Sequence, residues 1–354
     1  MSAILKSSPV VSLPPGVARK KVLFHLPARI FDQCFAGKDL QRLDANYLAL
    51  GPAGNSDAEL LAAWERWAPD ADVIVTGWDS PRITEQMLAR TMNLGAILHS
   101  AGSIRPFIPD SVWQSGIRIA SANDALGKGV AETTLGLIIA GLKGFFFCSN
   151  LTRSGLWQGA IPETGHGRVR ELYDVTVGII GASRTGRQVL RLLNEFNAEV
   201  VVADPTIDGA EAASLGARLV TMEELMKVSD VVSLHAPALP ELRYMLGKQE
   251  FAAMKNDAIF LNTARGMLVD ENALIAELQT GRISAILDVT NPEPPAIDSP
   301  LRLLPNVTLL PHIAGAISTG CLRQGRSTVD QLLEFASGGE MHGEICSEKF
   351  AVMA

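Results

Sequence analysis

Three side chains that can transfer protons or bind anions follow short apolar runs in the second half of the sequence. Arg265 lies in FLNTARGMLVDENAL, Glu293 in LDVTNPEPP and His312 in LLPHIAG. An imidazole can act as an acid or a base, a carboxylate can orient it, and a guanidinium can bind a carboxylate through two parallel hydrogen bonds. Taken singly, each has a simpler explanation as a surface cation, a loop charge or a buried structural histidine. If the runs are strands of one parallel sheet, all three lie at its ligand-binding edge.

The surrounding sequence predicts such a sheet. Apolar runs alternate with amphipathic stretches such as TGRQVLRLLNEF and DENALIAELQTG, and the runs are VTVGIIG, AEVVVAD, DVVSLH, AIFLNT, AILDV and VTLLPH. Strands that are apolar throughout are typical of a parallel sheet covered by helices on both faces. We therefore predict a doubly wound α/β domain in this part of the chain.

The sequence pattern in the first part of the chain predicts a second parallel-sheet domain. From Lys21 the runs KVLFHL, ADVIVTG and LGAILH indicate strands, and ITEQMLARTM indicates a helix. A helical pattern also spans residues 318–336, where Gly338 and Gly339 would end it. The most apolar stretch, residues 135–148, is too short to cross a bilayer and is predicted to be a buried helix.

A glycine-containing turn between two of the predicted strands suggests a dinucleotide site. The strand VTVGII runs into a turn from Gly181 to Gly186, and the next strand ends at Asp204. Glycines permit the tight turn and the close helix packing of such a site, while a terminal carboxylate binds ribose hydroxyls and repels a 2′-phosphate. Ser183 replaces the middle glycine, so the motif alone is equally compatible with an ordinary strand–turn–helix. The order strand, helix, strand and aspartate favours NAD over NADP.

Composition excludes several classes of protein. The chain has 354 residues, 47% of them hydrophobic, and a formal net charge of −7. A globular protein of two domains is expected, and nucleic acid is not an expected partner. The cysteines form no C-x-x-C pair, so we expect neither a metal site nor disulfides, but a reducing cytoplasm. The start of the sequence lacks a signal-peptide core, and residues 1–20 are predicted to be a mobile tail.

The sequence resembles the D-2-hydroxyacid dehydrogenases, including the phosphoglycerate-dehydrogenase-like members. The similarity extends from about Ala71 to Ala336 and lies in HSAGSI, VAETTLGLIIA, VGIIGASRTG, VSLHAPALPELRYML, MKNDAIFLNTARGMLVDENAL, LDVTNPEPP and PHIAG. The resemblance implies a Rossmann NAD domain, residues 123–315, inserted into a flavodoxin-like substrate domain made of residues 21–122 and 316–354. Length alone would have suggested two consecutive domains.

The resemblance also implies a reaction and a catalytic set. Arg265, Glu293 and His312 match the family's catalytic residues, which move a hydride between NAD(H) and a small 2-keto or 2-hydroxy acid of D configuration. His312 would supply the proton when the keto oxygen becomes negative, and Glu293 would fix its tautomer and stabilise its charged form. Arg265 would bind the substrate carboxylate. Formate-dehydrogenase-like relatives carry glutamine at the position of Glu293, which counts against that activity.

Further residues are assigned to the cofactor and the substrate by the same resemblance. The predicted cofactor residues are Gly181, Ser183, Arg184, Thr185, Gly186, Asp204, His235, Pro237, Thr263, Ala264, Asp288 and Gly315. A packing role for His235 is an equally good interpretation, because Leu239 replaces the family's usual threonine. The predicted substrate residues are Ser100, Ala101, Gly102, Trp78 and Arg105. The first three would hold the substrate carboxylate through backbone N–H groups, unless they form an ordinary turn; Trp78 and Arg105 either shape the substrate pocket or lie at the surface.

Two other classes of protein remain as alternatives. Some relatives retain NAD binding and the catalytic residues but act as NAD-sensing corepressors, and a structural protein with a degenerate Rossmann domain would also tolerate Ser183. Apart from the first ~20 residues we find no long disordered tail of the kind that partner-binding proteins use, which favours an enzyme. We expect a homodimer, no nucleic acid and no membrane.

Overall fold

The computed structural model describes residues 19–52, 54–157 and 169–351. Most of the predicted N-terminal tail therefore lies outside the described residues. The chain divides into two compact units. Described residues up to Leu126 and from Ala316 onward form the terminal unit, and Gly127–Gly315 form the central unit.

The strands and helices alternate along most of the chain. The strands are β1 Lys20–Phe24, β2 Tyr47–Leu50, β3 Val73–Thr76, β4 Ala96–His99, β5 Arg118–Ser121, β6 Tyr173–Ile180, β7 Asn197–Ala203, β8 Arg218–Leu219, β9 Val231–Leu234, β10 Ile259–Asn262, β11 Ser284–Leu287, β12 Val307–Leu309 and β13 Glu344–Ile345. The described α-helices are α1 Ala28–Cys34, α2 Gly37–Leu40, α3 Asp57–Trp67, α4 Glu85–Leu88, α5 Asn123–Leu142, α6 Phe145–Arg153, α7 Arg184–Leu193, α8 Gly209–Ser214, α9 Met222–Val228, α10 Lys248–Ala253, α11 Glu271–Gln279, α12 Thr319–Ala336 and α13 Ser347–Ala351.

The terminal unit contains a six-stranded sheet in the order β13-β5-β4-β3-β1-β2. All pairings are parallel except that of β13 with β5. Every residue of β3 and β4 is buried, as expected for strands with helices on both faces. The order of β2, β1, β3, β4 and β5 is that of the flavodoxin-like fold, which places the ends of β1 and β3 beside a topological switch point.

The central unit contains a seven-stranded parallel sheet in the order β12-β11-β10-β9-β6-β7-β8. Two clusters of buried apolar residues cover its faces, one including Ile138, Val189 and Ile259 and the other including Phe251 and Phe260. The order of β6 to β11 is that of the Rossmann fold. The predicted fold class, two doubly wound parallel-sheet domains, is confirmed.

The predicted buried helix over residues 135–148 is wrong in its extent. Helix α5 ends at Leu142, Gly144 adopts a left-handed conformation with φ of 61°, and α6 begins at Phe145. Glycine accommodates that conformation without steric cost, and it changes the chain direction. Because of this break, the aromatic side chains of Phe145, Phe146 and Phe147 are exposed instead of buried.

Helix α5 is the one described helix whose length and composition would suit a membrane span. Within the central unit, its side chains Ile138 and Leu142 are fully buried in the apolar core. A buried core helix of this length meets the same criteria, so α5 is weak evidence for a membrane.

Of two other predicted helices, one is much shorter than predicted and the other closely matches its predicted range. The stretch ITEQMLARTM forms only the four-residue helix α4, capped by Thr84, because the chain turns after Leu88 and Thr91 donates its hydroxyl to the Leu88 carbonyl oxygen. Helix α12 follows the predicted range closely, with Ser318 as its N-cap and Gly338 at φ of 75° just after its end.

Candidate active site

The sheet of the central unit brings Glu293 and His312 into contact. They follow β11 and β12, which pair in parallel, and His312 Nδ1 lies 2.5 Å from Glu293 Oε1. The Glu293 side chain is 40% exposed and the His312 side chain is 45% exposed, so both can be reached from solvent. An ionised carboxylate only accepts hydrogen bonds, so the imidazole carries its proton on Nδ1 and presents Nε2 outward.

Asp288 holds the backbone that carries His312. His312 has a φ of 54°, an unusual value for a residue with a side chain. Its N–H donates to the Asp288 carbonyl oxygen at 3.0 Å, and the buried Asp288 carboxylate accepts the N–H groups of Ile313 and Ala314 at 2.8 and 2.9 Å. These three bonds fix the backbone from which the imidazole projects. Asp288 was predicted as a cofactor residue; here its carboxylate orients the histidine loop.

The loop that carries Glu293 is held from two sides. The carboxylate of Glu271, at the start of α11, accepts the Asn291 N–H at 3.0 Å. The Thr290 hydroxyl donates to the Pro292 carbonyl oxygen at 2.7 Å. Burial raises the pKa of Glu271, and the Asn291 N–H partly opposes that shift. Glu271 therefore positions a catalytic candidate without contacting it.

Arg265 follows β10, the neighbour of β11 in the sheet. Its backbone is fixed by Asn262, whose side chain accepts the Ala264 N–H and donates to the Arg265 carbonyl oxygen. Desolvation lowers the Arg265 pKa, and the negative charge of Glu293 opposes the shift. By surface area the residue is exposed, so the desolvation is partial and the guanidinium remains charged.

The turn between β6 and α7 has the close approaches of a dinucleotide site. Gly181 has a φ of 94°, and a Cβ there would lie 2.7 Å from the backbone of Ala236. A Cβ on Gly186 would lie 2.1 Å from the Gly181 carbonyl oxygen. Both positions therefore require glycine.

Ser183, in contrast, occupies a position that needs no glycine. Its φ is −60°, and its hydroxyl accepts the Gly186 N–H at 3.3 Å as the N-cap of α7. The side chain that departs from the motif therefore stabilises the helix whose N-terminal amides face the phosphates in this fold.

Asp204 lies immediately after β7. One carboxylate oxygen accepts the Ala182 N–H at 2.6 Å, and the other accepts the N–H and hydroxyl of Thr206 at 2.7 and 2.6 Å. The glycine turn and this carboxylate are thus linked directly. The arrangement fits the adenosine end of NAD, in which a carboxylate binds the ribose hydroxyls.

The other predicted cofactor residues lie around the same strand ends. His235, just after β9, is buried, contacts the Ser233 hydroxyl through Nε2 at 2.8 Å, and burial lowers its pKa to about 4. The Thr263 hydroxyl lies 3.0 Å from that of Thr134. Arg184 and Thr185 open α7, whereas Pro237, Ala264 and Gly315 lie in loops of this unit.

In the terminal unit, the turn after β4 offers unused hydrogen-bond donors. The N–H groups of Ala101, Gly102 and Ser103 donate to no acceptor within residues 19–52, 54–157 and 169–351. The buried hydroxyl of Ser100 is likewise unpaired within those ranges. The Ser100 N–H, also predicted as a donor, is not free, because it donates to the Thr76 carbonyl oxygen at 2.8 Å. The free N–H groups of residues 101–103 are the donors that the predicted anion-binding role of this turn would use.

Trp78 and Arg105 have different environments in that unit. Trp78 follows β3 and packs partly against the apolar core. Arg105 lies with its guanidinium 4.4 Å from the centre of the Phe350 ring and donates to the Phe350 carbonyl oxygen. The Arg105 guanidinium is therefore engaged by the C-terminal helix α13.

The sequence did not predict two residues that position the candidate catalytic loops. Asn262 holds the backbone of Arg265, and Glu271 holds the loop that carries Glu293. Each lies next to a predicted motif, Asn262 in NTARG and Glu271 in VDENAL. A polar side chain at a strand end and a carboxylate at a helix start were the available signals, but neither specifies a partner. No cluster of three potential metal ligands occurs in the part of the chain that the structure describes.

The fold and this geometry define a two-domain, dinucleotide-binding α/β protein. Residues 135–314 match the family model described as D-isomer specific 2-hydroxyacid dehydrogenase, NAD binding domain. The chain belongs to the D-isomer-specific 2-hydroxyacid dehydrogenase family and carries its NAD-binding domain.

Relatives with assigned names agree with this membership. The chain is 32% identical over 271 residues to the D-3-phosphoglycerate dehydrogenase of Methanocaldococcus jannaschii, covering 76% of this chain and 50% of that protein. It is 30% identical over 294 residues to the glyoxylate reductase of Aeropyrum pernix, covering 78% and 87%. It spans about half the length of the phosphoglycerate dehydrogenases that it matches. Among solved structures, the TT0316 protein of Thermus thermophilus is similar, with 29% identity, a TM-score of 0.70, and coverage of 93% and 100%.

Proposed function

We propose that this protein transfers a hydride between NAD(H) and a small 2-keto or 2-hydroxy acid of D configuration, with His312 as the general acid and base. The observation that carries the proposal is the 2.5 Å contact between His312 Nδ1 and Glu293. It leaves Nε2 as the atom that exchanges a proton with substrate. Family membership supports the reaction class.

The cofactor preference follows from the residues of the glycine turn. Gly181 and Gly186 allow close backbone approaches at the start of α7. The N-terminal amides of α7 would hold the pyrophosphate, and Asp204 would hold the adenosine ribose. When bound, NAD supplies or accepts the hydride. A carboxylate at Asp204 repels a 2′-phosphate, which supports NAD over NADP.

Reduction of a keto acid uses the side chains in sequence. Arg265 binds substrate through its fork of N–H donors and orients the carbonyl. As negative charge develops on the carbonyl oxygen, protonated His312 donates the Nε2 proton to it, and Glu293 stabilises the imidazolium until that transfer. In the oxidative direction the neutral imidazole removes the hydroxyl proton. The free N–H groups of residues 101–103 are assigned to the substrate carboxylate.

The proposed substrate is a monoacid with an apolar or aromatic side chain. Trp78 offers an apolar surface and one N–H donor at the end of β3. The stacking of Arg105 on Phe350 supports leaving this cation out of substrate recognition.

A panel of keto acids tests both the activity and this preference. NADH oxidation is measured with phenylpyruvate, branched-chain keto acids, glyoxylate, and dicarboxylic or phosphorylated keto acids, over a range of concentrations. We expect phenylpyruvate or a branched-chain keto acid to have the highest kcat/KM. If a dicarboxylic or phosphorylated keto acid has the highest kcat/KM, Arg105 would instead be assigned to substrate recognition. Tight NADH binding without turnover of any acid would favour the NAD-sensing alternative.

We also propose that the protein is a cytoplasmic homodimer. Phe146 and Phe147 are exposed and line a groove of the central unit together with Ile259, Ile286 and Val307. Adjacent exposed aromatic residues of this kind are typical of protein interfaces, and a second copy is the proposed occupant. Light scattering of the wild type and of Phe147→Asp would test the dimer, which the substitution should dissociate.

All four cysteines are free thiols, which supports the proposed cytoplasmic location, a reducing compartment.

A further inference from the structure

A second set of side chains in the terminal unit has the geometry of an activated serine. Ser327 and Glu334 project from α12, and His342 lies in the loop that precedes β13. The Ser327 hydroxyl oxygen is 2.9 Å from His342 Nε2, and His342 Nδ1 is 3.0 Å from each carboxylate oxygen of Glu334. None of the three residues takes part in the proposed dehydrogenase reaction.

The contacts determine where the imidazole proton lies. Because an ionised Glu334 carboxylate can only accept, Nδ1 must carry the proton, and in the neutral ring Nε2 then accepts from the Ser327 hydroxyl. The His342 backbone N–H also donates to Glu334 Oε2 at 2.9 Å, which fixes the ring relative to the helix. A nucleophile, a base and a group that orients the base are therefore aligned.

Local structure explains why these residues meet. Ser327 and Glu334 are two helical turns apart, so they share one face of α12. After Gly338, which has a φ of 75°, the chain returns along that face and brings His342 between them. The His342 and Glu334 side chains are 42% and 36% exposed, so a small reagent can approach.

We propose that Ser327 is a nucleophile that accepts an acyl group from activated acyl donors such as aryl esters and thioesters. The hydroxyl oxygen bonds to the acyl carbon as His342 Nε2 takes the hydroxyl proton. The bond to the aryl oxygen or thiol sulfur breaks, and the leaving group departs with the electron pair and receives the proton from Nε2. The products are O-acyl Ser327 and a phenol or thiol.

The position of Ser327 inside a helix limits the chemistry to the acylation step. Backbone N–H groups in a helix interior already donate to carbonyl oxygens four residues earlier, so they are not free to stabilise an oxyanion. The site therefore suits a single acylation by a donor with a good leaving group, and slow deacylation, instead of efficient ester hydrolysis.

The test uses p-nitrophenyl acetate and the full-length protein. Acetylation is followed over time by peptide mass spectrometry at Ser327 and at Ser337. Ser337 is a matched internal control, since it is exposed at the end of the same helix and donates its hydroxyl to the Glu334 carbonyl oxygen instead of to an imidazole. We expect Ser327 to react roughly 10²-fold faster, the lower end of the range for general base catalysis.

Two variants separate this role from a structural network. His342→Gln removes the base, and Glu334→Gln offers an amide that can donate to Nδ1 and shift the ring proton to Nε2. Both should reduce Ser327 acetylation to the Ser337 rate, whereas Ser337→Ala should leave it unchanged. Equal rates at the two serines in the wild type, or no effect of His342→Gln in a folded protein, would overturn the proposal.

Circular-dichroism melting establishes that each variant is folded. Keto-acid reduction should be unaffected in Ser327→Ala and His342→Gln, because these residues lie outside the proposed dehydrogenase machinery. If the wild type reduces no keto acid, the proposed dehydrogenase function fails while the acetylation comparison remains readable, so the two proposals are tested separately.

Discussion

At the scale of the residue, the proposed chemistry depends on one imidazole whose backbone and Nδ1 atom are both held by neighbouring carboxylate residues. Asp288 fixes the backbone from His312 to Ala314, and Glu293 fixes the ring through Nδ1. The nitrogen that we propose to transfer the proton, Nε2, is thus defined by contacts made entirely within the central unit. A change at His312 should therefore affect proton transfer more than cofactor binding.

His312→Ala should reduce kcat for the best keto acid by ~10²- to 10⁴-fold, the usual contribution of general acid–base catalysis. The NADH dissociation constant should change by less than about threefold, because the imidazole contributes little to cofactor binding. Steady-state kinetics and fluorescence titration with NADH measure the two quantities. A variant that keeps more than a third of wild-type turnover would remove His312 from the mechanism.

Asp204→Ser should narrow the preference for NADH over NADPH. The substitution removes the negative charge that a 2′-phosphate would face, yet a hydroxyl can still accept one of the N–H groups that Asp204 accepts. We expect the ratio of kcat/KM for the two cofactors to fall by at least about tenfold, corresponding to ~1.4 kcal/mol of lost repulsion. Equal use of both cofactors by the wild type would contradict the role given to Asp204.

At the scale of the element, the start of α7 shows which positions in a motif are dictated by space. The predicted Gly-x-Gly-x-x-Gly pattern departs at Ser183, yet that residue caps the helix in an ordinary conformation. Gly186 differs, since any Cβ there would meet the Gly181 carbonyl oxygen. The last glycine therefore sets the distance between α7 and β6.

Gly186→Ala should push α7 away from β6 and weaken NADH binding by ~10²-fold or more, with a loss of roughly 1–3 kcal/mol in stability, as for other overpacked sites. Gly209→Ala is the control, because this glycine at the start of α8 has open space around its Cβ position. NADH titration and urea unfolding measure both effects. Wild-type affinity in Gly186→Ala would show that the turn does not bind the dinucleotide.

Sequence patterns predicted the elements better than the contacts between them. Continuous apolar runs correctly indicated strands such as β9 and β10, in which every residue is buried. The same reasoning placed Glu293 and His312 at one sheet edge, since parallel strands end together. It failed at Gly144, where a single left-handed residue splits an apolar stretch, and it could not identify Phe350 as the partner of Arg105, because 245 residues separate them.

At the scale of the whole molecule, three buried histidines connect stability to pH. Burial lowers the pKa of His25 to about 4, of His99 to about 3 and of His235 to about 4, from 6.5. Below pH 6.5 the unfolded chain binds protons that the folded chain does not. Stability is therefore fully present above pH 6.5 and is lost as the pH falls, until the folded-state pKa values are reached.

The loss should be steeper in the terminal unit, which contains His25 and His99, than in the central unit, which contains His235. Each histidine contributes ~1.4 kcal/mol per pH unit in this window, so the terminal unit should lose about twice as much per pH unit as the central unit.

His25→Phe should reduce this acid sensitivity. Neither ring nitrogen of His25 has a hydrogen-bond partner among the described residues, and the ring makes an edge-on contact with Trp64 at 5.1 Å that phenylalanine can keep. Urea unfolding at pH 8 measures how the substitution changes the free energy of unfolding through packing alone, because His25 is neutral in both states at that pH. Relative to that baseline, the variant should gain about 2 kcal/mol over the wild type at pH 5, since about 1.5 pH units separate pH 5 from the unfolded-state pKa. An equal loss of stability between pH 8 and pH 5 in both proteins would show that His25 is protonated in the fold and that its burial does not destabilise the protein in acid.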